Sequence, residues 1–375
     1  SSGWSRCRPA RTTAPSSCSD HPLVTRRVVT APMTTAPDGR RVVSARRVLA
    51  GVALLALAAC SSGPQPVASG VSSGAAPSAR PAGPAAGPAR WRTGANLPVA
   101  VSEVGVALLG DQLHVLGGYV AGRAHSTTHL VLDTRSGVWR TAAPLPVPLD
   151  HIGAFAVAGT VYAAGGYGSL GKPTSALYAY DPAADRWTTR APLPSARAAA
   201  VAVEVAGRLH LIGGRAAGGD TGEHDVYDPA TDRWSTAAPM PTARDHAAAA
   251  LVGGQVHVAG GRPGSLASHE VYDPATDSWS AGPPLPRGRS SVAGAALGGR
   301  FVVLGGEDAA EQQVYTDVES FDPASRTWSQ LPPLPAARQG IGAAVLGDRL
   351  LLPGGGPSAG GREQTAVLLE LSPQP

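Results

Sequence analysis

VYDPATDRW, from Val226 to Trp234, returns 45 residues later as VYDPATDSW, from Val271 to Trp279. A catalytic motif seldom needs a second copy, whereas a structural unit that buries its face against copies of itself needs several. The wider chain repeats with the same rhythm. Trp91, Trp139, Trp187, Trp234, Trp279 and Trp328 are spaced by 48, 48, 47, 45 and 49 residues, and Gly-Gly pairs begin at 117, 165, 213, 260, 305 and 354. Each unit reads as an alanine-rich apolar run, a short turn with Gly, and an apolar run ending in Gly-Gly. A variable loop, a strand, an Asp-Pro turn and a strand bearing Trp complete it. The runs are short, bounded by turn residues and without a longer helical stripe, which predicts four strands per unit.

The nonapeptide has a turn chemistry of its own. In the second copy Pro274 presets φ for the first corner, and the Asp273 side chain can bond the backbone of the turn. Asp277 closes the turn and Trp279 opens the last strand, where a buried indole is worth about 3–5 kcal/mol against Ala. The first unit departs from the pattern, with Leu132-Asp133-Thr134 at the turn. A four-stranded antiparallel unit of this length exposes its edges and has little face to bury. Radial repetition around an axis solves both problems.

The order of elements predicts closure of that ring. The series begins with a tryptophan strand at Trp91 that has no Gly-Gly before it. It ends with Gly354-Gly355 and a third strand, TAVLLELS, with no Trp after it. The N-terminal strand then supplies the outer strand of the last unit, which gives an all-β, six-bladed propeller. The apolar residues before Gly-Gly, the spaced aromatic and Trp, and the Pro-x-x-Arg start of the units resemble Kelch repeats over residues 91–375. MPTARDHAAAALVGGQVHVAGGR (240–262) in particular is similar to secreted bacterial Kelch proteins grouped by likeness with N-acetylneuraminate mutarotases. The resemblance implies a binding or interaction scaffold, with a sugar-acid mutarotase or epimerase as the alternative. Copper oxidases built on Kelch blades need a Tyr crosslinked to a Cys. No Cys lies between residues 91 and 375, which excludes that chemistry.

The formal net charge of +4 comes from the first 59 residues. Residues 1–59 hold nine Arg and two Asp, while the rest carries 22 Lys plus Arg against 25 Asp plus Glu, a net of −3. A nucleic-acid partner is therefore not expected. RRVVSARRVLAGVALLALAACSSG (40–63) has a basic start, an apolar run too short to span a bilayer, and small residues before Cys60. It resembles a bacterial lipoprotein signal, in which the Cys60 thiol is acylated. Residues 1–32 are read as an upstream extension, 33–59 as the signal peptide, 60–90 as a linker and 91–375 as the propeller. Between 61 and 90, 25 of 30 residues are Ala, Gly, Pro or Ser, a composition with little to repay ordering. The expected product is an extracytoplasmic monomer, held at the bacterial membrane by the lipid alone.

Variable loops on a repeated scaffold carry binding. Here those are the loops after Gly-Gly, on the face where the innermost strands begin. The slot after Pro-x-x holds Arg197, Arg244, Arg289 and Arg338, read as structural and bridging neighbouring units. The next two slots include Glu103, Asp150, His151, Asp245 and His246. The residues after Gly-Gly include Tyr119, Tyr167, Arg215, Arg262 and Glu307. Together they predict a mouth for a small polar, anionic or sugar-like ligand, or for a protein partner. Arg215 and Arg262 are two free cations to clamp a carboxylate, and Tyr119 and Tyr167 are stacking walls. His114, His210 and His257 share one strand slot and are read as wall residues. No cofactor is expected, and no metal, because His151 and His246 lack a third ligand at any spacing the sequence sets. GYGSLG at 166–171, GPSAG at 356–360 and GVSSG at 70–74 match nucleotide or nucleophile motifs only by glycine content, without a following helix.

Overall fold

The computed structural model describes residues 87–374. The proposed extension, signal peptide, Cys60 and the linker up to residue 86 lie outside them. One boundary moves. The first strand spans Gly87–Thr93, so it starts inside the stretch assigned to the linker, and its Ala89 and Trp91 pack against an apolar core.

Six four-stranded antiparallel sheets form the body of the domain, with four smaller ribbons of two or three short strands among the loops. In the third, Val201–Val205, Arg208–Ile212, His224–Asp228 and Arg233–Thr236 follow one another from the axis outward. The sixth is built from both ends of the domain. Ala344–Leu346, Arg349–Pro353 and Leu368–Gln374 are completed by Gly87–Thr93, with Trp91 opposite Leu371. The described residues form a six-bladed propeller closed by the strand Gly87–Thr93. Among the described residues the only helical elements are two three-residue 3-10 turns.

The innermost strands each touch the two beside them around the ring. Crowding at the axis explains the alanine-rich runs: a Cβ at Gly294 would lie 2.5 Å from the Ala249 backbone of the preceding blade. Larger apolar side chains occupy the seams. There are six apolar clusters, one between each pair of neighbouring blades, so no blade buries its core alone.

The repeated nonapeptide is a clamp between blades. Tyr227 faces Trp234 across the outer hairpin, and Tyr180–Trp187 and Tyr272–Trp279 repeat that register. The first Asp caps its own turn: Asp228 Oδ1 accepts from Ala230 N–H, and Asp273 Oδ1 from Ala275 N–H. The second Asp and the Trp reach back to one residue of the preceding crossing. Asp232 accepts from the Ala191 N–H at 2.9 Å while Trp234 donates to the Ala191 carbonyl at 2.9 Å. Tyr227 O–H donates to the same Asp232 oxygen at 2.7 Å. Ala143 and Ala238 are held in the same way by blades two and four. In blade five the crossing residue is Pro283, which has no N–H to offer. There the Tyr and Asp are absent together, replaced by Phe321 and Arg326, while Trp328 still donates to the Pro283 carbonyl. The tryptophans are half-buried rather than enclosed, because their indole N–H must reach that carbonyl.

The arginine slot is structural, but each member serves its own blade. Arg197 bonds Glu223 and the Leu211 carbonyl and pairs with Asp225; Arg244 bonds Glu270 and two carbonyls. Arg289 pairs with Glu319, and Arg338 donates to the Gly354 carbonyl. The reason is reach: each guanidinium enters from the strand start, and those of Arg197, Arg244 and Arg289 meet a carboxylate on the third strand of the same sheet.

His114, His210 and His257 are wall residues with partners. Each bonds a histidine of the neighbouring strand: His129 at 3.0 Å, His224 at 2.8 Å and His269 at 2.9 Å. His129 Nδ1 also meets the Ala143 carbonyl, which can only accept, so that nitrogen carries the proton. Its Nε2 is then the acceptor for His114 Nδ1–H, and both rings are neutral.

Candidate functional site

The site begins with a backbone device. Glu103, His151, Ala199, His246, Ser291 and Gly340 occupy equivalent positions in the six blades, and all have φ between 53° and 58°. The N–H of each donates to the carbonyl of its counterpart in the blade before, and Glu103 N–H closes the circuit onto Gly340. The six bonds measure 2.7–3.1 Å. This ring crosses every seam at the axis. A left-handed backbone is costly for a side chain other than Gly, and here it is held in place by the circuit.

The ring residues line an axial cavity of about 90 Å³. Ala199, Ser291 and Gly340 contribute little bulk, which leaves the space to Glu103, His151 and His246. These three bring one ligand-type atom each within 4.8 Å of one another. Glu103 Oε2 lies 3.3 Å from His151 Nε2. Gly340 makes room for that carboxylate: a Cβ there would fall 2.5 Å from Glu103 Oε1.

Both histidines are backed by the aspartate that precedes them. Asp150 bonds His151 Nδ1 through one oxygen and His125 Nδ1 through the other. Asp245 Oδ1 lies 2.9 Å from His246 Nδ1, but off the angle of a hydrogen bond, and both atoms are buried without a partner. Burial alone would lower the pKa of His151, yet Glu103 and Asp150 outweigh it and hold it above the ordinary imidazole value. At His246 burial wins, and the pKa is lowered. For Asp245 burial acts upward, but His246, Arg262 and Arg215 leave its pKa below the usual carboxylate value.

A second, wider cavity of about 670 Å³ lies among the post-Gly-Gly loops of blades one to three. Tyr119, Tyr167 and Arg215 line it, as do His125 and Lys172. Tyr119 and Tyr167 also pack edge-on against the His151 ring, with centroids 5.6 and 5.3 Å away. Burial raises both phenol pKa values, that of Tyr167 to about 12, so each keeps its proton. His125 and Lys172 escaped the sequence reading because their loops have no counterpart to align with. Only the membership of variable loops pointed to them.

The two arginines are not free cations. Arg262 Nη2 is paired with the fully buried Glu307, whose carboxylate also accepts from Ser291 Oγ and from the Gly360 N–H. Glu307 belongs to the next blade, so no comparison within one repeat reveals the pair. Arg215 Nη1 binds Asp220 at 2.7 Å across its own loop. That arginine is half-exposed and still lines the wide cavity. Of the ten residues singled out, Glu103, His151 and His246 line the axial cavity, with Asp150 and Asp245 behind the histidines. Tyr119, Tyr167 and Arg215 line the wide one, and Arg262 and Glu307 neutralise each other beside the ring.

Two family models match these repeats. The KLHDC2/KLHL20/DRC7 Kelch-repeats domain covers residues 189–355, and the Kelch motif covers residues 149–194. Residues 149–355 are thus matched as Kelch repeats. Among solved structures, that of YjhT is similar to this propeller at 19% identity, with a TM-score of 0.64. The alignment covers 73% of this chain and 95% of that one, and it speaks for the fold alone. No curated protein matches the chain.

Proposed function

We propose that this Kelch propeller is an extracytoplasmic, lipid-anchored binding module, monomeric and tethered through acylated Cys60. Its ligand is a small polar molecule, anionic or sugar-like, bound on the face of the post-Gly-Gly loops. The observation that carries the reading is the wide cavity, which joins two phenol walls to cationic Arg215 and Lys172. Cavities of several hundred Å³ with a few convergent polar groups suit small-molecule recognition. A panel of sugar acids, neutral glycans and peptides, titrated by calorimetry against the wild type, Tyr167→Ala and Arg215→Ala, tests it. At least one anionic ligand is expected to bind and to weaken in both variants. Binding that ignores both substitutions places the site elsewhere. The anchor has its own test, because fatty-acid labelling of the chain is expected to vanish in Cys60→Ser.

A second reading is a sugar-acid mutarotase or epimerase. It is favoured by Glu103 and His151, in contact beneath Tyr119 and Tyr167, since exchange of anomers needs a proton donor and an acceptor at the sugar ring. NMR exchange between the anomers of N-acetylneuraminate decides it. A rate equal to that of buffer alone removes this reading and leaves the binding module standing.

A further inference from the structure

The sequence left His151 and His246 one ligand short of a metal site. The ring supplies it from blade one. We propose that Glu103, His151 and His246 bind one divalent first-row transition ion at the propeller axis. Two imidazoles and one carboxylate converging on a small axial cavity, from blades one, two and four, are the donor set of zinc and non-haem iron centres.

Three observations beyond proximity support the assignment. First, Asp150 accepts from His151 Nδ1, which leaves Nε2 directed at Glu103 as the ligand nitrogen. Carboxylates behind histidines are the usual outer partners of metal ligands, where they fix the tautomer and raise donor strength. Second, Asp245 stands behind His246 as Asp150 does behind His151, but its Oδ1 lies 2.9 Å from Nδ1 off the hydrogen-bond angle, so Nδ1, on a side chain only 5% exposed, makes no hydrogen bond. A buried polar atom left unpaired is costly, and a bound cation that draws the ring into position would relieve it. Third, the spacing is close to that of a coordination sphere. Metal–ligand distances of about 2.0–2.2 Å put neighbouring donors of a tetrahedral site about 3.3–3.6 Å apart. The Glu103–His151 contact of 3.3 Å already meets that, and His246 has no hydrogen bond to break as it closes. Ala199, Ser291 and Gly340 complete the ring without bulk, and the cavity of about 90 Å³ holds an ion and about two waters.

The test uses the full chain purified in detergent, stripped with a chelator, and loaded separately with Zn²⁺ and Co²⁺ in the absence of any sugar or peptide. Metal uptake therefore stands or falls apart from the ligand-binding reading. Mass spectrometry of the metal content is expected to give one ion per chain. The Co²⁺ form is expected to show visible absorption of a low-symmetry nitrogen–oxygen site. Glu103→Gln and His246→Ala should each lose at least nine-tenths of the bound metal, and Asp150→Asn should weaken binding about 10–100-fold. Because ring substitutions can unfold the blade contacts, each variant is first checked for a native melting transition. If His246→Ala fails there, Glu103→Gln, which keeps its shape, carries the test. No stoichiometric uptake by the wild type, or equal uptake by a folded Glu103→Gln, overturns the proposal.

Discussion

Trp279 donates its indole N–H to the carbonyl of Ala238 at 2.8 Å, across the seam between blades three and four. The Ala238 N–H is taken by Asp277, two residues before that tryptophan, so one motif holds both backbone polar groups of one crossing residue. This is why the nonapeptide recurs: each copy fastens its blade to the one before. Asp277→Ala is expected to cost about 1–2 kcal/mol by leaving the Ala238 donor and the Tyr272 hydroxyl without their acceptor. Arg326→Ala, at the same slot of blade five, should change stability by less than about 0.5 kcal/mol, since Pro283 presents no donor there. Urea unfolding midpoints of the two variants check the contrast, and equal losses would mean the clamp is not what the Asp provides.

The three histidine pairs give the fold a pH dependence with a definite sign. Burial lowers the pKa of His114 to about 3, and of His129, His210, His224, His257 and His269 to about 4. Arg140 beside the first pair and Arg208 beside the second push the same way. Folded values below the unfolded one of about 6.5 mean that the unfolded chain binds more protons in between. Stability is therefore full above about pH 6.5 and lost as pH falls toward 4, by about 1.4 kcal/mol per pH unit for each proton taken up. The equivalent positions of blade five are Val302 and Val318. Replacing His257 and His269 by Val should flatten the slope by about one third, measured as unfolding free energy between pH 7 and 4.5.

Architecture was far more legible in the chain than the site was. Trp spacing and Gly-Gly pairs are visible because each blade needs them for the same reason. A Cβ at Gly165 would fall 2.3 Å from the Arg197 carbonyl, and one at Gly166 would fall 2.7 Å from that of Asp150. The missing Trp after TAVLLELS announced ring closure for the same reason. The site residues carry no such repetition. Alignment of the repeats put Glu103, His151 and His246 in one slot, yet nothing in it told of the left-handed φ that gathers them at the axis. Nor did it show that Glu307 sits against Arg262, because that contact runs between blades rather than within one. Contacts that every blade repeats leave a periodic trace; contacts made once do not.

Arg215 and Arg262 looked equivalent in sequence and should behave oppositely. Arg262→Ala leaves the fully buried Glu307 with Ser291 and the Gly360 N–H alone, and is expected to destabilise the fold by about 2–4 kcal/mol. Arg215→Ala removes an exposed pair with Asp220 and should change stability by less than about 1 kcal/mol. Its effect belongs to binding, with an anionic ligand weakened by about tenfold. Melting curves and ligand titrations on both variants separate the roles, and a stability loss at Arg215 larger than at Arg262 would reverse them.

Closure by Gly87–Thr93 makes the sixth blade dependent on residues far from its other strands in sequence, with Arg92 278 positions from its partner Glu370. Trp91 packs on the cluster between blades five and six and donates to the Pro332 carbonyl at 2.8 Å. Arg92 meets Glu370 across the same strand pair. Trp91→Ala should cost about 2–3 kcal/mol, below the range for an enclosed tryptophan because this ring is half-buried. Deleting residues 87–93 goes further, since it strips the partner from Leu368–Gln374 and leaves an unpaired strand edge beside an uncovered core. That variant is expected to lose cooperative unfolding and to associate, seen as a shift to larger species in size-exclusion chromatography. A synthetic peptide spanning 87–93, added in excess, should restore part of the monomer peak. A deletion variant that melts like the wild type would show that the six blades hold together without the clasp.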